Sequence, residues 1–218
     1  MATTPLTSLR SPTRERPKTT LQRERHEPEY GILVAIVALA AIAVALLFGI
    51  APDAIRRAAA GFTGVEHRLQ SVALVDGVRF VNDSQGTQPD AVIAALRAFP
   101  PPVVLIAGGR DKGVDLSELA RVVGTTAAAA VLIGESGPTL EGLFRDAGLA
   151  RTARAATMDE AVATAHRLAR EALLDRAEGS VATVVLSPAA ASFDMFEDYA
   201  ARGRAFITAV ARLAGTAG

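Results

Sequence analysis

Short apolar runs alternate with amphipathic segments through residues 65–218, and most runs end in polar or glycine-rich residues. Unbroken apolar runs indicate strands buried on both faces, and apolar residues at helical spacing indicate helices with one buried face. The runs predict strands at Val72 to Val75, Val78 to Val81, Val103 to Ala107, Ala129 to Ile133 and Val181 to Leu186. The intervening segments predict helices at Pro89 to Ala98, Leu116 to Val123, Thr139 to Ala147, Met158 to Leu174 and Met195 to Leu213.

This order predicts an α/β fold with a mostly parallel sheet and helices on both faces. The first two strands flank Asp76-Gly77, a strong signal for a tight hairpin, which adds one antiparallel pair. Residues 65–218 are enough for one independent core, so we expect a single Rossmann-like domain there.

The first part of the chain follows a different pattern. Residues 1–29 are polar and rich in Thr, Pro and Arg, which predicts a disordered tail. Tyr30 to Ile50 carries no charge, and a helix of that length spans roughly 30 Å, so it is a transmembrane candidate or else a buried helix. We interpret residues 51–64 as a short helical connector. The arginines before the apolar segment favour export of the C-terminal part of the chain.

The composition argues against some classes of partner and site. The 23 basic residues balance the 23 acidic ones, so nothing argues for a nucleic-acid partner. The absence of cysteine excludes disulfides, thiolate metal sites and cysteine nucleophiles, and no metal site is predicted.

Four polar blocks lie at strand ends or turns, where open α/β sheets place ligands. They are GVEHRL from Gly64, VNDSQGTQPD from Val81, IAGGRDKG from Ile106 and SPAAASFDMFEDYAARG from Ser187. Three of them contain polar residues that a core does not need. In order and spacing the blocks resemble the C-terminal domain of the D-glutamate-adding Mur ligases, which make UDP-N-acetylmuramoyl-L-alanyl-D-glutamate. The Ser-Pro-Ala-x-Ala-Ser-Phe-Asp turn argues against the related folylpolyglutamate synthases.

The resemblance implies a Rossmann-like Mur ligase C-terminal domain and a nucleotide site formed by Arg68, Asn82 and Asp83. Asp83 has the alternative of a helix cap or turn residue, and Arg68 that of a surface ion pair. His67 is interpreted as packing at a hinge between domains.

The resemblance also implies a D-glutamate site formed by Thr87, Lys112, Ser192, Phe193 and Tyr199. Gln85 stands where many members have lysine, which removes one cation, and Arg110 is a possible replacement. Asp194 and Asp198 could form an acid/base pair, but a solvated helix start fits them better.

The implied substrates are UDP-N-acetylmuramoyl-L-alanine and D-glutamate, with ATP and Mg²⁺ as cofactors, in the cytoplasm. The 218 residues contain no G-x-x-x-x-G-K-[ST] motif to bind phosphates, so no complete catalytic set is expected here. The tail and start of the apolar segment, TLQRERHEPEYGILVAIVALAAIA, resemble the FtsW-like lipid II polymerases, whereas the sequence from Leu39 resembles the end of a Mur ligase central domain. Alternatives are therefore a membrane-tethered, non-catalytic module that binds nucleotide or a partner, and the product of a chimeric gene. The oligomeric state is not predicted.

Overall fold

The structure is a computed structural model that describes the backbone of residues 28–216 and the side chains of residues 38–216. The predicted disordered tail therefore lies almost entirely outside the described residues. The helices are α1 (Pro28–Leu47), α2 (Pro52–Gly61), α3 (Pro89–Arg97), α4 (Ser117–Thr126), α5 (Gly137–Asp146), α6 (Met158–Leu173) and α7 (Tyr199–Thr216). The strands are β1 (Gln70–Val75), β2 (Val78–Asn82), β3 (Val103–Gly108), β4 (Ala129–Ile133), β5 (Thr152–Arg154) and β6 (Ala182–Leu186).

The six strands form one sheet in the order β1-β2-β6-β3-β4-β5. Only β1 runs antiparallel to its neighbour, β2, and every other pair is parallel. The α/β fold with a mostly parallel sheet is thereby confirmed. The last strand, β6, inserts between β2 and β3, so the direction of winding reverses beside it. Such reversals are where open α/β sheets bind ligands.

Each face of the sheet is covered by its own helices and core. On one face α6 and α7 pack over strand residues that include Phe80 and Val184, and Phe206 of α7 lies in the same core. On the other, α3, α4 and α5 pack over strand residues that include Leu105, and Phe144 of α5 lies in the same core. The prediction of helices on both faces is confirmed, and continuous apolar runs form the fully buried central strands, as the pattern indicated.

Two local predictions can be compared directly with the structure, and one strand was not predicted. The hairpin at Asp76-Gly77 is confirmed: both residues have positive φ, 50° and 80°, as a type I′ turn requires. Strand β5 was missed, because its three residues are at most half-buried and carry no apolar run. The closing helix begins at Tyr199 rather than Met195, so Asp194 lies in the turn before it.

The N-terminal helices differ from the prediction. In the part of the chain that the structure describes, no helix is both long and apolar enough to cross a bilayer. The transmembrane candidate at Tyr30 to Ile50 is therefore not supported. Helix α1 ends at Leu47, before the apolar segment does, because the chain turns at Gly49 with φ of 74°. Pro52 then begins α2.

Candidate functional site

The four polar blocks meet at one edge of the sheet. Asn82 pairs with Leu186 at the ends of β2 and β6, and Leu186 pairs with Ile106 near the end of β3. Because β1 is antiparallel, its first residue, Gln70, pairs with Asn82 at the same edge. Residues that the sequence spreads over more than a hundred positions are thus brought together by strand order.

Asp83 is buried directly after β2. Its Oδ2 accepts a hydrogen bond of 2.6 Å from Ser187 Oγ, and its Oδ1 accepts one of 3.2 Å from the Leu69 amide. This carboxylate therefore joins three of the blocks. It does not cap α3, whose N-cap residue is Gln88. Burial raises the pKa of Asp83 above its ordinary value, opposed by the Ser187 hydrogen bond, the Leu69 amide and the charge of Arg68.

We expect Asp83→Asn to be at least as stable as the parent chain near pH 7. Because the folded-state pKa is raised, the folded chain binds this proton more tightly than the unfolded chain does. The free energy of unfolding therefore falls as pH rises from about 4 through the raised pKa, and then levels off. Urea unfolding at pH values from about 4 to 8 should show this fall in the parent and its loss in the variant. A variant much less stable than the parent at pH 7 would contradict the assignment.

Arg68 stands between two strained residues. His67 and Leu69 have positive φ of 61° and 45°, which is rare for residues with side chains and is characteristic of functional sites. Two hydrogen bonds hold the turn: His67 O accepts from the Gln85 amide at 3.0 Å, and the Leu69 amide donates to Oδ1 of the Asp83 side chain. The Arg68 side chain is exposed beside Asp83, and among residues 38–216 it forms no ion pair. The alternative of a surface ion pair is not observed.

His67 is buried under this turn. Its Nδ1 lies 2.9 Å from Asn82 Nδ2, and its ring makes an edge contact with Tyr199 at 6.3 Å between ring centroids. The Asn82 side chain is itself fully buried and its Oδ1 accepts from the Ser84 amide. Gly203 on α7 lies against the imidazole. His67 and Asn82 therefore attach the Arg68 turn to α7.

Gly203→Ala tests this attachment. A Cβ at Gly203 would lie 2.3 Å from His67 Nδ1, so the ring or the helix must move, and we expect the free energy of unfolding to fall by about 1–3 kcal/mol. Gly215→Ala on the same helix meets open space and should be neutral or stabilising by up to about 1 kcal/mol. Thermal denaturation of both variants measures the difference, and equal effects would contradict the packing role.

Lys112 and Thr87 meet across the site. Lys112 Nζ donates a 2.7 Å hydrogen bond to the Thr87 carbonyl oxygen, which joins the loop after β3 to the loop after β2. Partial burial lowers the pKa of Lys112, and the charge of Arg202 lowers it further. The positive charges of Lys112 and Arg202 repel each other, and an anionic ligand bound near both would relieve that repulsion.

Arg202 lies in the fourth block, but the sequence analysis gave it no role in the site. It lies on α7 and is 1% exposed, although no carboxylate among residues 38–216 forms an ion pair with it. Its guanidinium donates to Ser84 Oγ at 3.0 Å, Ser84 O at 2.9 Å and Ala190 O at 3.2 Å. Burial lowers its pKa to about 10, opposed by the charge of Asp194. The signal was an arginine among the apolar positions of the closing helix.

The loop after β6 carries the other D-glutamate candidates. Ser192 is buried, and its carbonyl oxygen accepts from the Met195 and Phe196 amides, which closes a tight turn. Phe193 and Tyr199 are exposed at 66% and 44%, so both rings are accessible. Asp194 is not a solvated helix start: its Oδ2 accepts from the Glu135 amide at 2.8 Å.

Arg110 is tied to two neighbours. Its amide and carbonyl pair with Ala191, which joins the β3 and β6 loops, and its Nε lies 3.4 Å from Glu135 Oε2. Its charge is therefore already paired, and its role as a replacement for a lysine at Gln85 stays a prediction. Among the described residues no group of His, Cys, Asp and Glu is arranged to hold a metal ion.

Comparison with known proteins identifies the family of this chain. Residues 67–190 match the family described as "Mur ligase, glutamate ligase domain". A UDP-N-acetylmuramoylalanine–D-glutamate ligase from Chlorobium limicola is 44% identical over 169 residues, 78% of this chain and 34% of that protein. The enzyme of the same name from Symbiobacterium thermophilum is 44% identical over 176 residues, 80% and 37% respectively. The chain thus spans about a third of the length of these relatives.

Among solved structures, a Mycobacterium tuberculosis folylpolyglutamate synthase complexed with ADP and AMPPCP matches with a TM-score of 0.56 and 18% identity. The match covers 81% of this chain and 38% of that one. At this identity the likeness shows the fold alone. The relatives give no support to the resemblance of the N-terminal segment to FtsW-like lipid II polymerases.

Proposed function

Since this chain belongs to the Mur ligase family, we propose that it supplies the C-terminal, D-glutamate-binding part of an ATP-dependent UDP-N-acetylmuramoyl-L-alanine:D-glutamate ligase of peptidoglycan biosynthesis. The observation that carries the proposal is the junction of Asp83, Lys112 and Arg202 with the Ser192 loop at one edge of the sheet. Such an enzyme would act in the cytoplasm, where ATP is available.

D-Glutamate fits the charges of this edge. It offers two carboxylates, and Lys112 is an accessible cation whose Nζ already lies at the Thr87 loop. Arg202 adds a buried positive charge behind Ser84. The buried Ser192 turn and the accessible Phe193 and Tyr199 rings border the same loops. In this proposal Lys112 binds a carboxylate directly, because charged hydrogen bonds are about twice as strong as neutral ones.

The nucleotide fits the neighbouring turn. Arg68 is exposed and held in place by strained backbone, as a phosphate-binding guanidinium must be. Asp83 would accept hydrogen bonds from the nucleotide, and Asn82 would support it from behind. ATP supplies the phosphoryl group that activates the acid for attack by an amine. The described residues offer no set of Mg²⁺ ligands, so we propose that these lie outside them.

We expect the purified 218-residue chain to release no ADP from Mg-ATP with UDP-N-acetylmuramoyl-L-alanine and D-glutamate. The chain contains no phosphate-binding glycine-rich motif of the usual kind, and the Chlorobium limicola relative is more than twice as long. A coupled ADP assay measures this directly. Turnover comparable to that of the Chlorobium limicola enzyme, assayed in parallel, would overturn the expectation.

A covalent chimera tests the proposed function. The matching third of the Chlorobium limicola ligase is replaced by residues 51–218, and ADP release is measured with D-glutamate. We expect activity, and we expect Lys112→Met to raise the KM for D-glutamate about tenfold to a hundredfold because a charged hydrogen bond is lost. Arg176→Met, an exposed cation before β6, is the control and should leave the KM unchanged. An inactive but folded chimera, or a KM insensitive to Lys112→Met, would contradict the proposal.

A further inference from the structure

Asp194 lies two residues after Ser192 and joins the Ser192 turn to the loop after β4. Its Oδ2 accepts a 2.8 Å hydrogen bond from the Glu135 amide, 59 residues away in the chain. Its Oδ1 is shielded from solvent and has no hydrogen-bond partner within residues 38–216. Withdrawing a carboxylate oxygen from water without a partner costs free energy, which favours a role for Asp194 beyond stability.

The loop after β4 is itself fixed by the loop after β3. The Ser136 amide donates a 2.8 Å hydrogen bond to the Gly109 carbonyl oxygen. Gly134 has φ of 67°, and a Cβ there would clash with Asp194 Oδ2 and lie 2.9 Å from Gly109 Cα. Residues 134–136 therefore have little space to shift, and they provide a rigid support for the Asp194 carboxylate.

The Ser192 turn is attached to its surroundings on both sides of Ser192. Ala190 and Ala191 are held by hydrogen bonds to two arginine residues, and both precede Ser192. Asp194 makes the attachment that follows it. The Ser192 carbonyl oxygen accepts from the amides of residues 195 and 196, so Asp194 lies inside the same closed turn. Release of the Asp194 side chain would therefore free the turn on one side.

The charge of Asp194 acts on the same loops. Burial lowers the pKa of Arg202 to about 10, and the negative charge of Asp194 opposes that shift. Because Arg202 joins the Ser84 loop to Ala190, Asp194 supports the site by its charge as well as by its hydrogen bond. Substitution can separate the two contributions, since asparagine keeps an acceptor oxygen and glutamate keeps the charge.

We propose that Asp194 is a positioning residue for D-glutamate binding, which fixes the Ser192 turn against the loop after β4. The role rests on the proposed function for its ligand. It adds Gly134 and Glu135, which the four polar blocks do not contain, to the structure that supports the site. The hydrogen bond from the Glu135 amide is the main contribution, and the charge of the carboxylate is the lesser one.

The kinetic test uses the covalent chimera in which residues 51–218 replace the matching third of the Chlorobium limicola ligase. Because the Glu135 amide loses its acceptor, Asp194→Ala should raise the KM for D-glutamate about fivefold to fiftyfold, with kcat and the KM for ATP within about twofold. Asp194→Asn keeps an acceptor oxygen and should stay within about threefold of the parent KM. Asp194→Glu keeps the charge but is one methylene too long for the space beside Gly134, so its KM should rise as in Asp194→Ala.

Glu160→Ala is the matched control. Glu160 Oε2 accepts a 2.8 Å hydrogen bond from the Ala156 amide, a bond of the same kind and length, at the start of α6 and outside the four polar blocks. Its loss should lower stability about as much as Asp194→Ala does and leave the KM for D-glutamate unchanged. Thermal denaturation shows which variants are folded. If Asp194→Ala does not fold, Asp194→Asn and Asp194→Glu provide the comparison.

Amide hydrogen exchange in the 218-residue chain tests the attachment without substrate. Asp194→Ala should speed exchange of the Glu135 amide, and of the two amides that close the Ser192 turn, at least about tenfold, whereas Asp194→Asn should not.

The outcomes separate the two proposals. An active chimera in which Asp194→Ala leaves the KM for D-glutamate unchanged, or in which Asp194→Asn is equally impaired, overturns the positioning role and leaves the proposed function. An equal rise in KM with Glu160→Ala also overturns the positioning role, because a general loss of stability then explains both. A folded but inactive chimera, with faster exchange at Glu135 in Asp194→Ala, overturns the proposed function and leaves the attachment of the turn. Unchanged exchange overturns the attachment itself.

Discussion

Arg202→Met is expected to lower the free energy of unfolding by about 3 kcal/mol or more, and to weaken D-glutamate binding in the active chimera. The guanidinium satisfies three buried acceptors, two on Ser84 and one on Ala190. Leaving a buried acceptor unsatisfied costs about 1–3 kcal/mol. The same substitution separates the Ser84 loop, in which Thr87 accepts from Lys112, from the Ala190 loop, which carries Ser192.

Two further variants show whether the buried guanidinium is the cause of the loss of stability. Arg204→Met removes an exposed arginine two positions away on α7 and should change stability by less than about 0.5 kcal/mol. Arg202→Lys keeps the charge but cannot reach all three acceptors, so it should fall between parent and methionine variant. Urea unfolding gives the stabilities, and the KM for D-glutamate gives the site effect. If the methionine variant unfolds like the parent, the buried guanidinium does not hold these loops together.

Gly109→Ala is the second large effect we expect, a loss of at least about 3 kcal/mol or failure to fold. Gly109 has φ of 141°, and a Cβ there would lie 2.1 Å from the Ala191 carbonyl oxygen. The nearest obstacle is the Ala191 backbone, which cannot easily move because the β3 loop pairs there with the β6 loop through Arg110. Positive φ costs about 1–3 kcal/mol, and the contact adds to it.

Gly113→Ala is the matched control because it lies in the same loop with φ of 64° and meets open space. It should show only the conformational cost, about 1–2 kcal/mol. Soluble yield and thermal denaturation compare the two variants. If alanine at position 109 costs no more than alanine at 113, the close approach of the two loops is not a constraint on the site.

Local pattern was sufficient for most elements. The strands were predicted because buried parallel strands consist of unbroken apolar runs, and the Asp76-Gly77 hairpin because few dipeptides accept two positive φ angles. The failures also have local reasons. Strand β5 has no apolar run, and the apolar segment at Tyr30 to Ile50 contains Gly49, at which its helix stops.

The candidate site was less predictable than the elements. Asp83, Lys112 and Ser192 were identified from polar residues at strand ends, together with the family resemblance. Arg202 was not, because an arginine in a helix is usually on a solvated face, and its burial depends on acceptors from two distant loops. The φ values that hold Arg68 outward at His67 and Leu69 were equally invisible in the sequence.

The sequence by itself determined the alternation of strands and helices and the positions of the polar blocks, because both depend on neighbouring residues and on a period of two or 3.6. Only the tertiary structure decided that β6 lies between β2 and β3. That order depends on packing between residues far apart in the chain, which no local pattern records. It unites the blocks into one site and buries Arg202 beneath them.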